Sequence, residues 1–460
     1  MSKLSAILQV DNPALDRAID LYRDIASDHM RALSSTGVAF APCDEVRAGR
    51  RELLEQLRRV GARVRNGGAS VALGPLSRGC VACTGSCTSR SYALTNNCHR
   101  DCWFCFNPNQ EKFAYYCEHP FPWRRQLDLL AQEDAHPACV ALTGGEPLLM
   151  PDEACAFFAR ASELFPDAHL RLYTSGDLLD EALLVRLREA GLDEVRFSAK
   201  QDDPPHLVEK VFANMALAKR VVPTVMVEMP VIPGTEKQMQ GLLQRFEEVG
   251  IDGVNLLEFT YAMWNWEVYE SLGLALKNPP YPVFYDYVYA GSLAVQGSEE
   301  LCLRLMLWAH DRGLGLAMHY CSLENKHRAQ IRNLTEPYAR INKCYAFDYD
   351  DFFLKTALAF GPDRAPVRSV LKARGCTELL EDDESDATSF HPRWLSVAAK
   401  AKGAAGRPVQ LCVSYNVVVE GDGAPVFREL KVERVSDAPS VRLDDVTSRD
   451  DEAAGTLQSF

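Results

Sequence analysis

From Ser91 to Ser322 the chain alternates short apolar, β-branched runs with longer segments whose apolar residues recur at helical spacing. Such alternation is the pattern of repeated β-α units around a parallel sheet, and places the protein in the α/β class. The runs predict strands over 90–96, 138–143, 169–174, 194–199, 221–230, 254–259 and 314–320. The amphipathic segments predict helices over 122–133, 152–164, 178–190, 206–219, 236–249 and 298–312. Pro151-Asp152, Asp177 and Ser298 stand where helix starts want them.

The rhythm differs on both flanks. Residues 13–33 and 44–65 carry apolar positions at helical spacing with arginines on the outer face of the second, which predicts an N-terminal helical extension over 1–75. After the central region, 76–345, residues 377–386 read as an acidic linker. Two alternating runs, 409–419 and 426–435, flank Glu420-Gly421-Asp422-Gly423 and predict a β-hairpin. They indicate a small C-terminal α+β region over 346–460, with an acidic tail from about 443 that frays.

Composition narrows the partners. A formal charge of -13 argues against broad electrostatic binding to nucleic acid. No run approaches the roughly 18 apolar residues of a membrane helix, and Met1-Ser-Lys-Leu-Ser lacks signal-peptide form, so a cytoplasmic protein is expected. The 15 cysteines are odd in number and bunch between 80 and 105, which suits metal ligation in a reducing compartment.

The tightest group is Cys98-x3-Cys102-x2-Cys105. Three thiolates on one loop could ligate three irons of a [4Fe-4S] cube and leave the fourth iron without a protein ligand. Zinc is the alternative: both cysteine groups would then stabilise a binding or interaction protein, although the triplet alone leaves zinc one ligand short. Upstream, Gly79-Cys80-Val81-Ala82-Cys83 is a second knuckle, with Cys87 a further thiol; it is either half of a zinc or iron-sulfur site or a set of buried thiols.

The triplet, with Phe104 just before its last cysteine, resembles the signature of the radical S-adenosylmethionine (SAM) superfamily. The turn Thr143-Gly144-Gly145-Glu146-Pro147 after the second strand resembles that superfamily's Gly-Gly-Glu-Pro motif. A Gly-Cys-x2-Cys knuckle, an Asn255-Leu-Leu-Glu258-Phe strand and a Tyr320-Cys321-Ser322 segment narrow the resemblance to a branch related to pyruvate formate-lyase activating enzyme. The resemblance implies a partial (β/α)6 TIM-like barrel with its site at the C-terminal strand ends. It implies a [4Fe-4S] cluster on Cys98, Cys102 and Cys105 whose open iron chelates SAM, and reductive cleavage to a 5'-deoxyadenosyl radical for hydrogen abstraction. Gly144 to Pro147 would hold the SAM amino group, Ser198 and Lys200 its ribose and carboxylate, and the loop with Ile232 and Gly234 its adenine. Glu228 and Glu258, acidic residues inside apolar strands, are candidates for the substrate side. Cys321 could join Cys80 and Cys83 in a second metal site, zinc or iron-sulfur, completed by Cys87 or Cys344. A reductant such as flavodoxin or ferredoxin and a small-molecule, peptide or protein substrate would be the partners. The aromatic segment 260–289 is either a lid or an insertion packed on itself.

Overall fold

A computed structural model describes residues 12–35, 37–42, 46–83, 89–110, 112–132, 136–278, 293–340, 342–403, 406–420 and 425–435. Cys87 and the acidic tail lie outside the described residues. The chain forms two compact units, one chiefly of residues 37–329 and one joining the N-terminal helix to 330–435.

The larger unit holds β1 (Arg63–Arg65), β2 (Ser70–Leu73), β3 (Ser89–Ala93), β4 (Cys139–Thr143), β5 (His169–Thr174), β6 (Glu194–Phe197), β7 (Thr224–Val231), β8 (Gly253–Glu258) and β9 (Ala317–Cys321). Their order is β1-β2-β9-β8-β7-β6-β5-β4-β3. All pairings from β3 to β9 are parallel. This is the partial (β/α)6 TIM-like barrel with its closing strand. Helices Trp123–Gln132, Pro151–Leu164, Glu181–Glu189, Pro205–Val221, Glu236–Val249 and Ser298–Asp311 follow successive strands, close to the predicted spans.

Strand alternation divides the sheet into two faces. Leu170, Leu172, Val195, Phe197, Val225 and Val227 join a core with helical Phe157, Phe158, Leu184, Met215, Phe246 and Leu305. The alternate residues, among them His169, Arg171, Glu194, Arg196 and Glu228, form hydrogen bonds and ion pairs with one another instead. Helix Glu181–Glu189 is capped by Asp180, whose carboxylate accepts from Leu183 N at 2.8 Å. Asp177, the expected cap, serves the candidate site.

The expected helical extension is corrected beyond residue 59. Helix Val46–Arg59 ends, and Asn66, Gly67 and Gly68 take φ of 50°, 65° and 94°. That left-handed run, easy for glycine, turns the chain into the β1–β2 hairpin, whose second strand pairs antiparallel with β9.

The smaller unit is an antiparallel sheet of β10 (Ala346–Phe347), β11 (Leu354–Phe360), β12 (Leu380–Asp382), β13 (Ala387–Phe390), β14 (Leu411–Glu420) and β15 (Pro425–Arg434). Its order is β12-β13-β11-β14-β15, with β10 on β11. β14 and β15 are the predicted hairpin. The acidic stretch 377–386 is not simply a linker: it contains β12, and Arg364 binds Glu381, Asp383 and Asp386. Helix Pro13–Ser35 packs Ala14 and Leu15 on Leu358, Phe360 and Val432. Asn12 starts that helix: its Oδ1 accepts from Leu15 N at 3.3 Å, while Nδ2 donates to Phe360 O at 3.1 Å and Asp363 Oδ2 at 3.2 Å. Asn12→Ala loses this cap and both donated hydrogen bonds, while Asp363 Oδ2 keeps Gln410 N and Arg407 Nη1. We expect it to cost about 1–2 kcal/mol in urea unfolding of this unit. Among the described residues no helix is long and apolar enough to cross a membrane.

Candidate active site at the strand ends

The chain leaves β3 at Ala93 and runs through Leu94 to Asn97 into the three-cysteine loop; β4 runs into the Gly144-Gly145-Glu146 turn. Backbone bonds join the two. Gly145 N donates to Thr95 O at 2.8 Å, Glu146 N to Asn97 O at 2.9 Å, and Asn107 Nδ2 to Gly144 O at 2.9 Å. Gly144 has φ +116°, and a Cβ on Gly145 would stand 2.1 Å from Asn97 O and 2.5 Å from Asn96 O. No side chain can yield there, because the obstacle is main chain. Gly145→Ala is therefore expected to part the turn from the loop; if the site does what the sequence resemblance implies, 5'-deoxyadenosine formation from SAM would fall about 100-fold, some 2.8 kcal/mol of transition-state stabilisation.

Glu146 is 1% exposed and fully engaged. Its Oε1 accepts from Leu148 N (3.0 Å) and Thr174 Oγ1 (2.8 Å), and its Oε2 from Ser175 N (2.7 Å) and Oγ (2.6 Å). The carboxylate thus ties the end of β4 to the end of β5.

The cysteine loop is pinned from three sides. His99 Nε2 lies 2.8 Å from Asp177 Oδ2, Arg100 pairs with Asp203, and Trp103 Nε1 donates to Asp202 Oδ2 at 2.9 Å. Burial opposes ionisation of Asp177, but hydrogen bonds from Ser175 and His99 prevail and hold its pKa at about 2. The Trp103 ring packs edge-on against Phe104, Phe259 and Tyr269. Trp264 Nε1 donates to Cys105 O at 2.6 Å, and Asn265 Nδ2 to Trp103 O at 2.9 Å. The described start of the aromatic segment is thus a strap on the loop; Tyr281, Phe284, Tyr285, Tyr287 and Tyr289 lie outside the described residues. His99, Arg100, Asp177 and Trp264 escaped the sequence reading, because anchors of this kind have no spacing rule.

Burial raises all three loop thiols, Cys105 to about 11, while Lys200 acts in the opposite sense. Lys200, 8% exposed beyond the end of β6, hydrogen-bonds Cys102. Ser198 precedes it, its N–H donating to Thr174 O at 2.8 Å. Ile232 O accepts from Thr235 N and Oγ1, closing the turn in which Gly234 has φ +87°. Gly234 lines a cleft with Pro42, Pro233, Gly297 and Arg304.

Residues 92–246 match the sequence profile described as the radical SAM superfamily. That stretch of the barrel is similar to the radical SAM enzymes. A relative in Methanocaldococcus jannaschii, provisionally named a glycyl-radical enzyme activating enzyme, is 24% identical over 304 residues, covering 63% of this chain and 74% of that protein. A PqqA peptide cyclase of Granulibacter bethesdensis is 33% identical over 110 residues, 24% of this chain and 28% of that one. Among solved structures, Streptococcus suis SuiB bound to precursor peptide SuiA matches with TM-score 0.37 and 14% identity, over 62% of this chain and 55% of that one. The chain thus spans about half the length of that structure. The superfamily works with a 4Fe-4S cluster and SAM, and takes a reductant and a substrate.

Glu228 and Glu258 hold different positions in this barrel. Glu228 pairs with Arg196 and accepts from Asn255 Nδ2 at 2.7 Å, on the interior face of β7. Glu258 is 4% exposed, and both its oxygens are used, by Lys277 Nζ (2.9 Å) and Leu323 N (2.9 Å). It fastens residue 277 and the segment after β9 to the end of β8. Cys80, Cys83 and Cys321 come together and interact electrostatically, whereas Cys344 interacts with Cys376 in the smaller unit. Burial favours a neutral Cys80, but Arg196 and His319 outweigh it and hold the thiol at about 5. Burial and Cys80 push Cys83 up to about 11. Among the described residues no three His, Cys, Asp or Glu side chains are placed to hold a single metal ion. A cube distributes its cysteines over separate irons and does not ask for that convergence.

Proposed function

We propose that this chain reductively cleaves SAM at a [4Fe-4S] cluster held by Cys98, Cys102 and Cys105 and uses the 5'-deoxyadenosyl radical to abstract hydrogen from a substrate. The observation that carries the reading is the bonding of the three-cysteine loop to the Gly-Gly-Glu turn across the ends of β3 and β4. The donor set suits the group: three thiols share one pinned loop, and Asn96 Nδ2, buried beside the turn, has no hydrogen-bond partner within the protein. Cluster and SAM together supply the electron transfer and the carbon-sulfur cleavage. The chain's own residues orient and exclude. Gly144 to Pro147 present main chain to the SAM ammonium, and Lys200 sets a cation beside Cys102. Ser198 and the Ile232–Gly234 turn border the remainder of the ligand. Phe104, Trp103 and the Trp264 strap keep water from the loop.

The substrate side lies along the barrel interior, where Glu228 is the acidic candidate; Glu258 supports that wall through Lys277. The name of the archaeal relative favours a protein substrate, and a peptide or small molecule is the alternative. Flavodoxin or ferredoxin would supply the electron in the cytoplasm. A second metal, zinc or iron-sulfur, at the Cys80–Cys83 knuckle belongs to the same reading. The test is anaerobic reconstitution with iron and sulfide, followed by incubation with SAM and a reductant. Iron and sulfide bound to the loop together with 5'-deoxyadenosine are the expected result; a chain that binds zinc alone and leaves SAM intact overturns the proposal.

A further inference from the structure

The cysteine loop has no helix or strand of its own, so its shape must be imposed from outside. Its last part is a tight turn, closed by Cys105 N donating to Cys102 O at 2.9 Å, with Trp103 and Phe104 at the corner. That single bond leaves the Trp103 and Cys105 carbonyls to find donors elsewhere. Both find them on one segment far along the chain: Asn265 Nδ2 donates to Trp103 O at 2.9 Å, and Trp264 Nε1 to Cys105 O at 2.6 Å. Trp264 N adds a bond to Asn109 Oδ1 at 3.3 Å, just past the loop. The grip is reciprocal, because the Trp103 ring packs edge-on against Tyr269, centroids 5.1 Å apart, and Tyr269 OH donates to Thr260 O at 2.8 Å. Trp264 is 44% exposed, so filling a core is not its task.

The gripping segment is itself fixed at both ends. Thr260 bridges Ala294, and Leu276 bridges both Phe40 and Val295. Beyond Leu276, Lys277 Nζ stands 2.9 Å from Glu258 and 2.6 Å from Glu299, two carboxylates no more than 4% exposed. A segment anchored in this way to β8 and to helix Ser298–Asp311 is a clamp and not a swinging lid. We infer that Trp264 and Asn265 are positioning residues for the cluster: their donors hold the turn that carries Cys102 and Cys105 in its ligating form before any iron arrives. Groups behind the ligands do such work in metal sites generally, where a loose support costs affinity. The inference rests on reading this loop as the cluster site, and it assigns the loop's order to a segment 159 residues away.

The experiment uses the full chain as parent, Trp264→Phe, Trp264→Ala and the double variant Trp264→Phe/Asn265→Leu. Phenylalanine keeps a ring over the loop and removes only the N–H, which separates a donor from a cover. In the metal-free chains, amide hydrogen exchange of residues 102–106 should be at least about 10-fold faster in the double variant than in the parent, with thermal unfolding unchanged. After anaerobic reconstitution with iron and sulfide, retention of iron against a chelator should fall about 10–100-fold in the double variant, and Trp264→Phe should lose nearly as much as Trp264→Ala. If Trp264→Phe matches the parent while Trp264→Ala does not, the indole is a cover and its positioning role fails. Unchanged exchange, or faster exchange with undiminished retention, in the double variant also overturns the inference. A parent that takes up no iron and sulfide overturns instead the reading on which it rests.

Discussion

Cys102→Ala leaves the chain folded and lowers 5'-deoxyadenosine formation by at least about 1,000-fold, a loss near 4 kcal/mol in transition-state terms. Two features separate chemistry from folding here. The loop is held by His99, Arg100, the Trp103 indole and carbonyl, and the Cys105 carbonyl, and none of these bonds passes through the Cys102 sulfur. The thiol itself is half-buried at the loop surface, outside the main core, so its removal opens no cavity there. What the variant lacks is one of three soft donors, and a cube held at two corners does not persist with an open iron correctly placed. Iron content, visible absorbance and product are expected to fall together, while thermal unfolding shifts by less than about 1 kcal/mol in equivalent stability. Cys155→Ala, on helix Pro151–Leu164, is the matched control and should retain iron and product. Undiminished product from Cys102→Ala would remove the loop from the chemistry.

The barrel was legible because its strands and helices obey simple periods. The runs at 169–174 and 254–259 fall almost on β5 and β8, since burial on the helix-facing side demands apolar residues at every second position. The β1–β2 hairpin was not read, although Asn66-Gly67-Gly68 between Val64 and Val71 is a turn signal; the three residues of β1 include two arginines, which masks alternation. The cysteine loop and the glycine turn announce themselves through residue types with few other uses. Their anchors do not. Asp177 looks like a helix cap in sequence, and only the fold sets it 78 residues away against His99. Glu258 has the same limitation: an acid within an apolar strand advertises burial, but whether it meets a substrate or Lys277 is decided by a loop 19 residues further on.

Glu194→Gln is the substitution expected to cost the most stability, about 3–5 kcal/mol. Glu194 is 0% exposed on β6 and sits between two buried guanidiniums: Arg196 Nε at 2.5 Å and Arg171 Nε at 3.1 Å. His169 Nε2 at 2.6 Å and Ser77 Oγ at 2.5 Å complete its shell. Burial alone would favour the protonated acid, but Arg171 and Arg196 prevail and hold its pKa well below the carboxylate range. A group with a depressed pKa stabilises the fold above its unfolded value, and that contribution is lost as pH falls toward the folded one. Glutamine keeps the shape and removes the charge, leaving two arginines facing each other where water cannot screen them. The mutant should unfold at distinctly lower urea concentration at pH 7, and its deficit relative to the parent should shrink in acid as the parent's carboxylate is titrated. Arg160→Ala provides the surface comparison: its bonds to Asp128 and Glu163 are solvent-exposed, and its loss should cost no more than about 1 kcal/mol. Equal losses for the two variants would mean that the barrel interior around Glu194, Arg171 and Arg196 is wet.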